Sequence, residues 1–161
     1  MGAAYFYHLT RRRLEDALPI LLERSLAQGW RVEVRGTRPD ALAKLDDHLW
    51  TYSEESFVPH ARAGQDGADA APVILTDQAL SGYDCILCVD GAELSAEEVN
   101  AAERACLIFD GHDDQALIRA RGLWKSLTGA GCSAQYWSEE SGKWELKSER
   151  KAYARNCVGY F

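Results

Sequence analysis

The chain begins with a short aromatic run, Ala3-Ala-Tyr-Phe-Tyr-His-Leu9, of strand length, and its apolar pattern then changes period. From Leu14 to Ala27 apolar residues recur at helical spacing as far as Gly29, which predicts a helix closed by glycine. Pro19 lies inside that pattern and is expected to kink the helix or delay its start. Trp30-Arg-Val-Glu-Val-Arg35 alternates strictly, as a half-buried strand does. Asp40–His48 then reads as a short helix, and Ala61–Ala71, made of Gly, Ala and Asp with little to bury, as a mobile loop.

Three compact apolar runs follow: Pro72-Val-Ile-Leu-Thr76, Tyr83-Asp-Cys-Ile-Leu-Cys-Val89 and Ala105-Cys-Leu-Ile-Phe109. Runs of this kind are typical of inner strands of a largely parallel sheet. Ser95-Ala-Glu-Glu98 is a capping box that starts a short helix. A longer helix is expected from Asp113 to Thr128, closed by Gly129 and Gly131, with Ser133-Ala-Gln-Tyr-Trp137 as the last strand. Strands alternating with helices predict an α/β fold: a single-domain, largely parallel sheet with helices on both faces, Rossmann-like in topology. The domain is expected over residues 1–147, with 148–161 as a C-terminal extension.

Composition narrows the function. At 161 residues and 47% hydrophobic, the chain can bury one sizeable core. No apolar run approaches the roughly 20 residues of a membrane span, and no basic-then-apolar signal opens the chain, so a cytoplasmic protein without membrane contact is expected. Five cysteines at irregular spacing argue for reduced thiols rather than a disulfide framework. The net charge of −7 speaks against a direct nucleic-acid binder, yet it is unevenly divided. Residues 1–114 carry 10 basic and 21 acidic side chains, net −11, and residues 115–161 carry 8 and 4, net +4. Either this is scatter of surface charge, or the C-terminal part meets a polyanion or an acidic peptide.

Chemistry at the expected elements is sparse. A dinucleotide fold needs glycines at its first strand–helix turn so that backbone N–H groups can approach phosphate, and here that turn is Thr10-Arg11-Arg12-Arg13. The three arginines read as a solvated helix start or as a phosphate contact. Cys85-Ile-Leu-Cys88 has redox and metal-site spacing, but on a strand its thiols face opposite sides of the sheet, which favours core packing of both. The four histidines match no metal-ligand spacing. The residues therefore predict no catalytic group, metal or cofactor.

Two segments suit recognition instead. On the long helix Arg121 and Lys125 share one face with Trp124 beside them, while Leu117, Leu123 and Leu127 can pack inward. A cationic pair beside an aromatic surface can receive a peptide's terminal carboxylate and apolar end group; it also reads as a plain solvated face. Leu45-Asp-Asp-His-Leu-Trp50-Thr-Tyr-Ser-Glu-Glu-Ser-Phe57-Val-Pro-His60 places Trp50, Tyr52 and Phe57 among acidic residues, a composition suited to a strand end running into a surface loop that grips a partner.

These segments carry a resemblance. Tyr5-Phe6-Tyr7-His8-Leu9 is similar to the F-Y-L-L opening of the chi subunit of bacterial DNA polymerase III holoenzyme, and Leu45–His60 resembles its L-D-x-x-L-W…E-S-F-V-P-H segment. Arg121-Gly-Leu-Trp124-Lys125…Gly129-Ala-Gly131 is similar to the family's R-x-x-[aromatic]-K helix with its glycine-ended turn. Leu117 stands where some relatives place another basic residue. The resemblance implies a non-catalytic clamp-loader accessory subunit in DNA replication that meets DNA only indirectly. It implies that Arg121, Trp124 and Lys125 receive the acidic, Phe-ending C-terminal tail of single-stranded-DNA-binding protein. It further implies that Trp50, Phe57, Val58 and Pro59 dock a psi subunit or other clamp-loader subunit, or a helicase in its place. The alternative from the residues alone is a small α/β nucleotide-binding domain or enzyme.

Overall fold

The computed structural model describes residues 2–51, 59–80, 82–139 and 144–150. Eight strands form one sheet in the order β3-β4-β2-β5-β6-β1-β7-β8. The strands are β1 (Ala3–Leu9), β2 (Val32–Arg35), β3 (His60–Arg62), β4 (Val73–Thr76), β5 (Cys85–Cys88), β6 (Arg104–Asp110), β7 (Ser133–Ser138) and β8 (Glu145–Arg150). All neighbours are parallel except β8, which returns antiparallel along β7. The helices are α1 (Leu14–Ala27), α2 (Pro39–Thr51), α3 (Ala96–Ala101) and α4 (Asp114–Gly129). The α/β architecture, a largely parallel sheet with helices on both faces, is therefore the one the patterning predicts.

Each face of the sheet has its own core. Leu18, Leu21 and Leu22 of α1 and Leu42, Leu45 and Leu49 of α2 cover Val32, Val34, Val73, Leu75 and Leu87. Val99 of α3 and Ala116, Ala120 and Leu127 of α4 cover Phe6, Ile86, Leu107 and Phe109. The small alanines of α4 let that helix sit close to the strands. Ser95 caps α3 in the reciprocal arrangement with Glu98 that the sequence predicts. Cys85 and Cys88 do face opposite ways: the first belongs to the α1/α2 core, the second to the α3/α4 core, and both are buried. Burial pushes the Cys88 thiol up to about 12, and it raises Cys106 as well.

Several local expectations change in the folded chain. The helix α1 runs uninterrupted through Pro19 from Leu14, so there is no delayed start. The ring removes a single hydrogen-bond donor, and the apolar face beside it is fully buried. Asp40–His48 is part of a longer helix, which makes Trp50 a residue of the last turn of α2 rather than of a strand end. Ala61 and Arg62 belong to β3, and Ala68–Ala70 form a single 3-10 turn, so the stretch 61–71 is not all loop. Strand β7 is not the last; β8 follows, all six of its residues exposed, and Trp144 just before it packs edge-on against Tyr7, ring centroids 5.3 Å apart.

The largest correction concerns β2. Its alternation predicts one wet face, but β2 lies between β4 and β5 in the middle of the sheet, and Glu33 and Arg35 are as buried as Val32 and Val34. Arg35 donates from Nε to Glu33 at 2.7 Å, from Nη2 to Glu98 at 2.5 Å and from Nη1 to the Glu93 carbonyl at 3.1 Å. The backbone N–H of Leu80 adds a contact of 3.2 Å to Glu33. Charge neutralisation in place replaces the water that the polar face of an edge strand would meet.

Candidate partner-binding surfaces

Helix α4 is set by its cap and by its small-residue face. Asp113 accepts from the N–H groups of Gln115 and Ala116, and Ala116, Ala120 and Leu127 turn to the sheet. Leu117, Leu123 and Trp124 are partly buried against the same core. The Trp124 ring stands edge-on to Phe6 at 5.3 Å and to Tyr136 at 6.2 Å. The Tyr136 hydroxyl is 2.9 Å from His8 Nδ1, and the His8 ring stacks on Phe109 at 5.2 Å. Gly111 is required here, because a Cβ would lie 2.1 Å from His8 Nε2.

Above this aromatic cluster Arg121 and Lys125 are exposed, one turn apart. No ion pair among the described residues involves either of them. The structure thus brings Arg121, Trp124 and Lys125 to one flank of α4. The sequence reading missed His8 and Tyr136, which reach this flank through the pairing of Phe6 with Tyr136 and of His8 with Phe109. It also missed Ile118, 59% exposed on the outward side. The signal for Ile118 was present: it precedes Arg121 by three residues and Lys125 by seven, helical spacing for one face.

Trp50 heads a second exposed patch. It is 57% exposed at the end of α2, its ring centroid 4.8 Å from that of buried His60. His60 Nε2 lies 2.9 Å from Oδ1 of Asp46, which is one helical turn before Trp50. Pro59 is exposed beside His60. Phe57 and Val58 lie outside the described residues; the structure sets Trp50 against His60, which adjoins Pro59 and pairs with Asp46.

A cavity of about 880 Å³ opens where β1 and β6 end and their connections leave to opposite faces, the position at which open α/β sheets bind ligands. Arg119, Leu123 and Ser126 bring the other flank of α4 to it. The backbone N–H groups of the turn after β1, which lines this cavity, are already engaged. Glu139 Oε1, at the end of β7, accepts from the N–H groups of Thr10, Arg11 and Arg12 at 3.2, 3.0 and 2.7 Å. Burial raises the Glu139 carboxyl, but the three N–H donors and the nearby Arg12 outweigh it and hold the group below the usual carboxylate range. Arg38 is likewise engaged, at 2.8 and 3.0 Å from the two Asp90 oxygens.

Among the described residues no group of three His, Cys, Asp or Glu side chains could hold a metal ion. No helix among them is long and apolar enough to cross a membrane. No curated protein matches the chain. The family model described as DNA polymerase III chi subunit, HolC, matches residues 1–135, which include both exposed patches and the whole of α4. The chain therefore belongs to the DNA polymerase III chi subunit family, and its place is in DNA replication as a subunit of that polymerase.

Proposed function

We propose that the chain is a non-catalytic adaptor in the cytoplasm that links the DNA polymerase III clamp loader to the acidic C-terminal tail of single-stranded-DNA-binding protein. The observation that carries this is the pair Arg121 and Lys125, exposed and without ion pairs among the described residues, on a helix held in place by the aromatic cluster below. Carboxylates of a flexible tail make charge-assisted hydrogen bonds to such a pair, and Trp124 forms a wall beside it. Many tails along coated DNA raise the effective concentration, so modest single-site affinity suffices. The patch at Trp50 and Pro59, with Phe57 and Val58, takes the psi subunit, another clamp-loader subunit or a helicase, because an exposed tryptophan at the end of a rigid helix is a suitable interface anchor. The nucleotide-site alternative meets the Glu139 carboxylate where phosphate would sit.

Calorimetry with an acidic, Phe-terminated peptide tests the reading. Arg121→Ala and Lys125→Ala each weaken binding, and affinity falls steeply with salt. Affinity unchanged in both variants removes α4 as the tail receptor.

A further inference from the structure

The turn between β1 and α1 has no glycine, yet its backbone is folded as an anion site. Three consecutive N–H groups, of Thr10, Arg11 and Arg12, converge on Oε1 of Glu139 at 3.2, 3.0 and 2.7 Å, and Arg12 Nε stands 3.6 Å from Oε2. Helix α1 follows with no side-chain cap at Arg13, so its positive end adds to the same field. The internal carboxylate is an incomplete occupant. Thr10 Oγ1 is buried and has no hydrogen-bond partner among the described residues, so one donor of the turn goes unused. A tetrahedral phosphate brings further oxygens and a second negative charge to such a site. The same three residues line the cavity of about 880 Å³ together with Leu42, Leu45, Val89 and Leu123. Of its acidic residues, Asp90, Asp110 and Asp113 already accept from Arg38, the His112 N–H and the first turn of α4.

We propose that the β1–α1 turn is a phosphate site held shut by Glu139, and that the cavity beside it takes the apolar body of a phosphomonoester once the carboxylate is displaced. Glu139 stands immediately after β7, which pairs with β1 on one side and with β8 on the other. Ligand entry and the docking of that strand end on the turn therefore exclude each other. The site does not depend on the adaptor reading, since neither Arg121 nor Lys125 lines the cavity.

Inorganic phosphate, phenyl phosphate and sodium chloride at equal ionic strength are compared on the full chain by thermal melting and calorimetry. In the wild type the internal carboxylate holds the turn, and inorganic phosphate acts no more strongly than chloride. In Glu139→Ala about 10 mM phosphate raises the melting temperature by about 4 °C over chloride. Phenyl phosphate binds that variant about tenfold tighter than inorganic phosphate, because its ring enters the cavity. Thr10→Val added to Glu139→Ala weakens both ligands about fivefold. Placed alone in the wild-type chain it does not lower the melting temperature, since the hydroxyl it removes has no partner. Glu139→Gln, which keeps an acceptor on the turn, shows the same order of ligands with smaller shifts and serves where the alanine variant does not fold. Phosphate that shifts neither Glu139 variant more than chloride does overturns the site, and a response of equal size in the wild type overturns Glu139 as its occupant. Phenyl phosphate no tighter than inorganic phosphate overturns the cavity as the seat of the ester. Arg121→Ala added to Glu139→Ala leaves the phosphate response intact; its loss there puts the anion on α4 and overturns the proposal while leaving the tail receptor in place.

Discussion

Arg35 and Arg121 carry the same guanidinium into opposite circumstances. Arg35, 4% exposed, is ringed by Glu33, Glu98 and the Glu93 carbonyl; Arg121 is exposed on α4 and has no ion pair among the described residues. The first is committed to the fold, since removing it strands the Glu33 carboxylate, which folding has taken out of water, and leaves half-buried Glu98 without its cation. The second leaves its charge free for a ligand. Glu139 belongs with Arg35: it is 2% exposed and spends its carboxylate on the N–H groups at the crest of β1, closing the place where related topologies hold phosphate. Arg35 and Glu139 are held by partners inside the fold, whereas Arg121 and Lys125 stand exposed on one flank of α4.

The contrast is broken most directly at Arg35. Arg35→Met should cost about 3–5 kcal/mol in urea unfolding, because Glu33 stays buried without its partner and half-buried Glu98 loses its own. A cost under about 1 kcal/mol would mean that the cluster is dispensable packing. Glu139→Ala should cost about 2 kcal/mol by leaving three N–H groups without an acceptor, and Glu139→Gln, which keeps an acceptor oxygen, about half of that. Equal losses in the two variants would show that charge, not hydrogen bonding, is what the crest of β1 needs.

Acid sharpens the same comparison. The carboxyls of Glu98 and Glu139 are both lowered: burial of each is outweighed by Arg35 for the first and by backbone N–H groups for the second. A carboxylate with a lower pKa folded than unfolded stabilises the fold above its unfolded value of about 4.3, and that contribution disappears as pH falls through the folded value. The urea midpoint should therefore drop between about pH 5 and pH 3, with a shallower slope in Glu139→Gln. A midpoint flat over that window would mean that neither carboxylate is linked to folding.

The smallest effect on stability is expected at the ligand-facing cations. Arg121→Ala and Lys125→Ala should each shift unfolding by no more than about 0.5 kcal/mol while weakening the acidic peptide about fivefold or more. Trp50→Ala should behave alike at its own patch, losing a partner subunit in pull-downs with the peptide still bound. Loss of stability in these variants as large as that in Arg35→Met would erase the distinction between the two kinds of charge.

Much of this protein is local and was legible in its sequence. Apolar spacing and capping residues depend on neighbours within one element, so β1, α1, the capping box of α3 and the span of α4 follow from pattern, and so does the shared face of Arg121 and Lys125. The order of the sheet is not local, and it decided the rest. Glu33 and Arg35 alternate with valines as in any half-wet strand; placement of β2 between β4 and β5 buried them. Glu139 gave no signal, because its partners at Thr10, Arg11 and Arg12 lie nearly the whole chain away and meet it only when β7 lies beside β1. His8 and Tyr136 joined the α4 site by strand register alone. Periodicity states which side chains share a face, whereas long-range pairing, whose loop-closure entropy only the assembled core repays, states what that face will meet.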